Sequence, residues 1–366
     1  MKKTSTRLAD GRELIYYDTR DDAVHDAVDR RPLDPMSSVS EIRHDVLLGD
    51  SVAIASHRQA RTYHPPADEC PLCPTRDGHL TEIPDDHYEV AVFENRFPSL
   101  SGEHGRCEVV VFTDHHDTSF AGLSPERARL VLDAWTDRTR ELSRLPGVEQ
   151  VYCFENRGEE IGVTLGHPHG QIYGYPFATP RTELMLRSLE RHSEATGGRN
   201  LFDDVVERER EDGSRIVLEG EHWTAFVPYA AHWPYEVHLY PRRRVPDLLG
   251  LDEEARAEFP AVYLELLRRF DRIFDEGGTP PGFAGGTPTG PEAGGEPPTP
   301  YISGWHQAPF SSPLRREFAL HLELFTIRRT KGKLKFLAGS ESGMSVFIND
   351  VPPEAAAARL REVATP

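Results

Sequence analysis

The sequence predicts an α+β fold built as two similar halves, each a mainly antiparallel sheet with flanking helices. Three observations carry this expectation. The order strand, strand, helix, strand occurs twice along the 366 residues, the mark of an internal duplication. The strand segments are short and rich in β-branched and aromatic residues, as from Tyr88 to Glu94 and from Cys107 to Thr113. A polar break, Thr196-Gly197-Gly198, separates the copies. The chain therefore reads as an N-terminal arm over 1–37, a first domain over 38–196 and a second over 199–366.

Composition narrows the function. A formal net charge of −18 excludes a general nucleic-acid binder, which needs a basic footprint. No run approaches a membrane span, and no apolar segment of signal-peptide type follows Met1 to Arg7. Of Cys70, Cys73, Cys107 and Cys153, only the first two share a recognised spacing. The expectation is a soluble cytoplasmic protein whose cysteines are reduced or bind metal.

Within the polar arm, Leu14 to Tyr17 reads as an isolated strand. Gly49-Asp50 reads as a hairpin turn, with Ser51 to Ala55 as the returning strand. Arg58 and Arg61 follow; a pair of guanidinium forks suits a phosphate or diphosphate, and two solvated surface arginines are the plainer reading. Cys70-Pro71-Leu72-Cys73 is half of a tetrahedral zinc site. His79, His87, His115 and His116 are the nearby candidates to complete it, and His167 the distant one. Ser124 caps a helix from Pro125 to Leu142, with an apolar stripe at Leu130, Leu132, Ala134 and Trp135. Val151 to Glu155 is the next strand, and residues 181–195 form a helix. Asn156 to Gly158 either donates to phosphate or makes an ordinary turn.

The first half is organised around Gly166-His167-Pro168-His169-Gly170-Gln171-Ile172-Tyr173. In an extended segment, His167, His169 and Gln171 face the same way. Pro168 suits a strand entry, and Gly170 lets a ligand approach the backbone. A neutral imidazole is a nucleophile, a base or a metal ligand. A lone His-x-His pair would read as a surface strand; the glycine, the glutamine and the upstream cysteine pair tip it towards a site.

The second half echoes this plan. His222 to Pro228, Glu236 to Pro241, a helix from Leu251-Asp252 to Phe274, and Phe318 to Phe325 repeat the earlier elements. The second copy has Glu323 where the first has its second histidine, so His169 is the candidate for catalysis. Residues 277–300, rich in Gly, Pro and Thr, read as a disordered insertion. His306, His321 and Glu323 either hold a second metal or are histidines of a polar sheet.

Together these stretches resemble the galactose-1-phosphate uridylyltransferase family, the transferase branch of the histidine-triad superfamily, from about Glu41 to Glu362. Gln171, where histidine-triad hydrolases carry a third histidine, is the transferase mark. The resemblance implies a duplicated histidine-triad-like fold. It implies that His169 takes the uridylyl group covalently and that Gln171 bonds the phosphoryl oxygens. It makes Cys70, Cys73, His116 and His167 the zinc ligands, with His116 preferred to His115 for its place after Phe112. It puts Arg58, Arg61, Asn95, Asn156 and Thr164 on the nucleotide. Lys335 and Phe336 match a segment that reaches into the partner of a homodimer. His306 and His321 match an iron-type second site, with Glu323 in place of a histidine and Glu183 as the stand-in for a family glutamate. Arg96 replaces the aspartate beside the uridine-binding asparagine. The implied reaction exchanges UMP between UDP-glucose and galactose 1-phosphate. The alternatives are a related nucleotidylyl-histidine phosphorylase using ADP-glucose or a dinucleoside polyphosphate, and a zinc-stabilised nucleotide sensor without turnover.

Overall fold

The computed structural model describes residues 1–35, 40–55, 65–76, 78–275 and 298–365. Arg58 and Arg61, and most of the 277–300 tract, lie outside the described residues. The strands are β1 (Lys2–Arg7), β2 (Glu13–Asp18), β3 (Glu41–Asp45), β4 (Asp50–Ile54), β5 (Val90–Glu94), β6 (Arg106–Val111), β7 (Gln150–Arg157), β8 (His169–Tyr175), β9 (Ile216–Glu219), β10 (Trp223–Phe226), β11 (Tyr235–Pro241), β12 (Tyr301–His306), β13 (His321–Thr326), β14 (Arg328–Thr330) and β15 (Lys333–Leu334). The helices are α1 (Pro125–Leu142), α2 (Pro180–Thr196), α3 (Leu201–Asp212), α4 (Glu253–Arg272), α5 (Gly339–Met344) and α6 (Pro353–Glu362).

Eleven strands form one sheet in the order β1-β2-β5-β6-β8-β7-β12-β13-β11-β10-β9. About the β7–β12 seam the order is symmetric: β5, β6, β8 and β7 on one side answer β10, β11, β13 and β12 on the other. Helices α1 and α4 occupy matching places and pack on each other. This is the expected duplication, closed into a single sheet by the antiparallel pairing of Ser303 with Glu155 and Ile302 with Asn156.

The helices start where their caps dictate. The Ser124 side chain accepts from the Arg127 amide at the start of α1, and Asp252 accepts from the Ala255 amide at the start of α4. Their apolar faces bury Leu130, Val131, Trp135, Phe259, Tyr263 and Phe270 against one side of the sheet. The other side is roofed twice. Over the first half, Leu72, Ile83 and Tyr88 cover Tyr16, Phe93, Val109 and Val111. Over the second half, α2 and α3 cover Phe226 and Tyr240. His169 lies between these roofs, beside Val111 in the β6–β8 register.

Four expectations change. The Leu14–Tyr17 segment is not isolated: β2 joins β1 and β5 in the main sheet, which places part of the supposed arm in the core. The hairpin turn occupies residues 46–49, and Asp50 already belongs to the returning strand. Thr299 and Pro300, at the end of the tract read as disordered, are buried, and the Thr299 carbonyl accepts from Arg157. Gly170 owes its identity to packing: a Cβ there would meet the Phe112 ring at 2.8 Å and the Phe154 carbonyl oxygen at 2.7 Å.

The segment after β2 is held down by His25, whose ring stacks on Tyr16 with centroids 3.9 Å apart. Its Nε2 lies 3.0 Å from Asp18, and its Nδ1 lies 3.5 Å from Asp85 in the loop leading to β5. Burial alone would lower the pKa of this imidazole, but the two carboxylates raise it to about 9. The folded value lies above the ordinary 6.5, so this contribution is complete below pH 6.5 and is lost as pH rises through about 9. Thermal melts from about pH 7 to pH 10 are expected to show a decline in stability that the His25→Asn variant lacks; parallel profiles would refute the assignment.

Candidate active site

The chain enters β8 through a bend at His167, and regular pairing begins at His169. This separates the two histidines that an unbroken strand would have aligned. The His167 ring turns to the cysteine knuckle, its Nδ1 3.5 Å from Cys73 Sγ. His169 and Gln171 stay on the exposed face and line a cleft of about 150 Å³. Asn156 from β7 and Thr164 from the loop before His167 line the same cleft, with Phe154, Gly162 and Tyr173. His169 also lines a second hollow of about 600 Å³, with Ser119, Arg157, Glu160 and Pro168 among others. The imidazole thus stands where two spaces meet.

One bond sets the chemistry of that imidazole. His169 Nδ1 lies 2.7 Å from the carbonyl oxygen of His167. A carbonyl only accepts, so Nδ1 carries the proton and Nε2 carries the lone pair. The donor is fixed by the backbone two residues upstream, and the backbone is fixed by the ring of His167.

Cys70, Cys73, His116 and His167 bring their ligand atoms within 4.8 Å of one another. His116 Nδ1 is 3.4 Å from Cys73 Sγ. His167 Nε2 donates to the Thr113 carbonyl at 2.7 Å, which leaves Nδ1 as the ligating atom. Burial, with His116 and His169 nearby, lowers the pKa of His167 to about 4, so it is a neutral ligand at physiological pH. Burial and the adjacent Cys70 push the Cys73 thiol up to about 12, a proton that a bound cation would displace. Two thiols and two imidazoles fit a structural metal ion, and four protein donors leave no open position. His115 and His87 stand outside the group: both pair with Asp114 and are largely exposed. His79 is also exposed and outside it.

Sequence reasoning missed Tyr88. Its fully buried hydroxyl lies 2.9 Å from the Leu72 carbonyl, 2.8 Å from the Thr113 carbonyl and 3.2 Å from His167 Nε2. It ties the knuckle, the end of β6 and the metal-side histidine together. Burial raises its pKa, so it remains a neutral donor. A tyrosine at the head of an apolar strand gives no sign of this task.

Other expected residues lie elsewhere. Asn95 sits after β5, its side-chain oxygen accepting from the Phe97 amide at 2.9 Å, and it does not line the cleft. Arg96 beside it is exposed, over the Phe97 ring. Lys335 is buried against Glu341 at 3.0 Å, and Phe336 is 74% exposed. His306, His321 and Glu323 converge within 4.8 Å of one another on the same sheet face. Glu183 does not join them: it is exposed on α2 and faces Arg187 at 3.9 Å, because the first turn of α2 directs Arg181 rather than Glu183 to the cluster.

Comparison with known proteins agrees with this architecture. A model of the galactose-1-phosphate uridyl transferase N-terminal domain matches residues 100–179, and one of the C-terminal domain matches residues 186–365. A galactose-1-phosphate uridylyltransferase from Streptomyces lividans is 64% identical over 100% of this chain and 98% of its own. The chain belongs to the galactose-1-phosphate uridylyltransferase family. The galactose-1-phosphate uridylyltransferase of Thermotoga maritima is 35% identical over 88% of this chain and 98% of its own. A solved uridylyltransferase structure superposes with a TM-score of 0.72 at 28% identity, covering 89% of this chain and 98% of that one. Among the described residues, no helix is long and apolar enough to cross a membrane.

For this family member, the Tyr88 tie makes metal retention testable. Tyr88→Phe is expected to speed transfer of the metal to a chelator roughly 10- to 100-fold, the usual cost of losing an outer partner of a ligating histidine. Release at the parent rate would show that the hydroxyl does not support the site.

Proposed function

We propose that the protein exchanges UMP between UDP-glucose and galactose 1-phosphate through a uridylyl group carried on His169. The observation that carries this reading is the bond from His169 Nδ1 to the His167 carbonyl, in a cleft shared with Gln171, Asn156 and Thr164. The Nε2 lone pair attacks the α-phosphorus of UDP-glucose. The bond from that phosphorus to the bridging oxygen breaks, and glucose 1-phosphate leaves with the electron pair. The substituted imidazole keeps its Nδ1 proton and gains positive charge, which the carbonyl oxygen of His167 offsets. The phosphate of galactose 1-phosphate then attacks the same phosphorus. The P–N bond breaks, its electrons return to Nε2, and UDP-galactose departs.

Charge accumulates on the equatorial oxygens in both steps. The Gln171 amide can donate to them without a proton transfer, and Asn156 and Thr164 supply further donors in the cleft. A glutamine suits a transferase because it does not activate water. Arg58 and Arg61 are the proposed partners of the diphosphate, and Asn95 of the base. The Cys70, Cys73, His116 and His167 group holds zinc in this reading, since thiolate and imidazole donors select it. The ion's part is to fix the bend before His169. By family resemblance the protein acts as a homodimer, with Lys335 and Phe336 serving the partner's site, and works on the sugar-nucleotide pool of the cytoplasm.

Intact mass after incubation with UDP-glucose tests the donor and the nucleophile. The parent should gain one uridylyl group and His169→Ala none. Gln171→Ala should form the same adduct roughly 10²–10³-fold more slowly, as for loss of one transition-state donor. No adduct in the parent, or an adduct retained by His169→Ala, would refute the mechanism.

A further inference from the structure

The cluster on β12 and β13 invites a second metal ion, yet its carboxylate is already engaged. Glu323 Oε1 takes a hydrogen bond from Arg181 Nη2 at 2.8 Å and faces His238 Nε2 at 3.5 Å. Glu323 Oε2 lies 3.2 Å from His306 Nε2, an ion-pair distance. His321 donates through Nδ1 to the Ala319 carbonyl at 2.8 Å, so its Nε2 alone offers an unshared pair.

Arg181 itself is the second observation. It lies in the first turn of α2, directly after Pro180, where the helix dipole disfavours a cation. A buried carboxylate at 2.8 Å supplies the compensation, and Glu323 is only 4% exposed at its side chain. The guanidinium, about half exposed, closes over the carboxylate from the solvent side. A dication bound to Glu323 would sit within a few ångströms of a permanent positive charge. His238, sharing its Nε2 proton with Glu236 at 2.9 Å, brings another donor to the same carboxylates. From the catalytic half, the Tyr152 hydroxyl lies against Gly304, only 2.1 Å from where a Cβ would stand, and walls the group on that side.

We infer that this second cluster is a metal-free ion-pair centre in which the Arg181 guanidinium does the work of a cation, neutralising Glu323 and fastening α2 to β13. Because α2 follows β8 after a short turn, the exit of the catalytic strand is anchored to the second half by an arginine–carboxylate bond. Among the described residues, the Cys70, Cys73, His116 and His167 group is then the one left to hold a metal ion, and iron does not enter the second cluster.

Metal content of the full-length protein tests this after reconstitution with zinc and ferrous iron in turn and removal of free ions. The parent should retain one ion per chain, with X-ray absorption reporting two sulfur and two nitrogen neighbours. The double variant Arg181→Ala with Glu323→His removes the competing charge, restores a third imidazole and should retain a second ion, bound without sulfur. Arg181→Gln, which keeps a hydrogen-bond donor but not the charge, separates charge from packing: it should lower the melting temperature while leaving the sulfur-bound ion in place. Two ions per parent chain, a sulfur count diluted by a second nitrogen and oxygen site, or a double variant that gains nothing would each overturn the inference. None of these readouts depends on the uridylyl-transfer reading.

Discussion

The hydrogen bond from His169 Nδ1 to the His167 carbonyl is the constraint on which the site depends. A histidine nucleophile needs one nitrogen held protonated and the lone pair of the other directed to the reacting face. Here a main-chain oxygen does the holding, so the tautomer is a consequence of backbone position. That position is set in turn by the His167 ring, which sits between Cys73 and the Thr113 carbonyl with Tyr88 alongside. The Cys70, Cys73, His116 and His167 group and the His169 imidazole are therefore mechanically linked through residues 167–169.

The duplicated sheet supplies the frame and shows how the copies diverged. Beside the β7–β12 seam the first half carries His169 on β8, and the second carries His306 on β12 and His321 on β13. In the first half the knuckle pulls one imidazole aside and leaves the other in a cleft. In the second, Arg181, His238 and His306 surround the buried carboxylate of Glu323. A charged guanidinium held on a buried carboxylate adds rigidity to that side. Related residues on the same fold thus line a cleft on one side and form an ion-pair cluster on the other.

Much of this was legible in the sequence because it depended on local signals. The caps at Ser124 and Asp252, the strand segments and the repeat order report directly on neighbouring residues, and the helices and strands formed where those signals lay. The spacing of Cys70 and Cys73 suggested half of a metal site, and the structure brings His116 and His167 to them. What escaped depends on distance in the chain. Tyr88 reaches His167 across 79 residues, and Arg181 reaches Glu323 across 142. Neither pairing has a periodicity or a motif. The bend at His167 was hidden because alternation assumes an unbroken strand, and Gly170 suggested a ligand where the crowding comes from Phe112. Strand β2 looked isolated because its partners β1 and β5 add little signal at its own position.

The most direct test of the central claim is the position of the P–N bond. Protein carrying ¹⁵N-labelled histidine would be uridylylated with UDP-glucose and digested, and the ³¹P–¹⁵N coupling of the modified peptide measured. A backbone carbonyl that holds Nδ1 predicts phosphorus on Nε2 of His169 alone. Phosphorus on Nδ1, or on any other residue, would contradict the account.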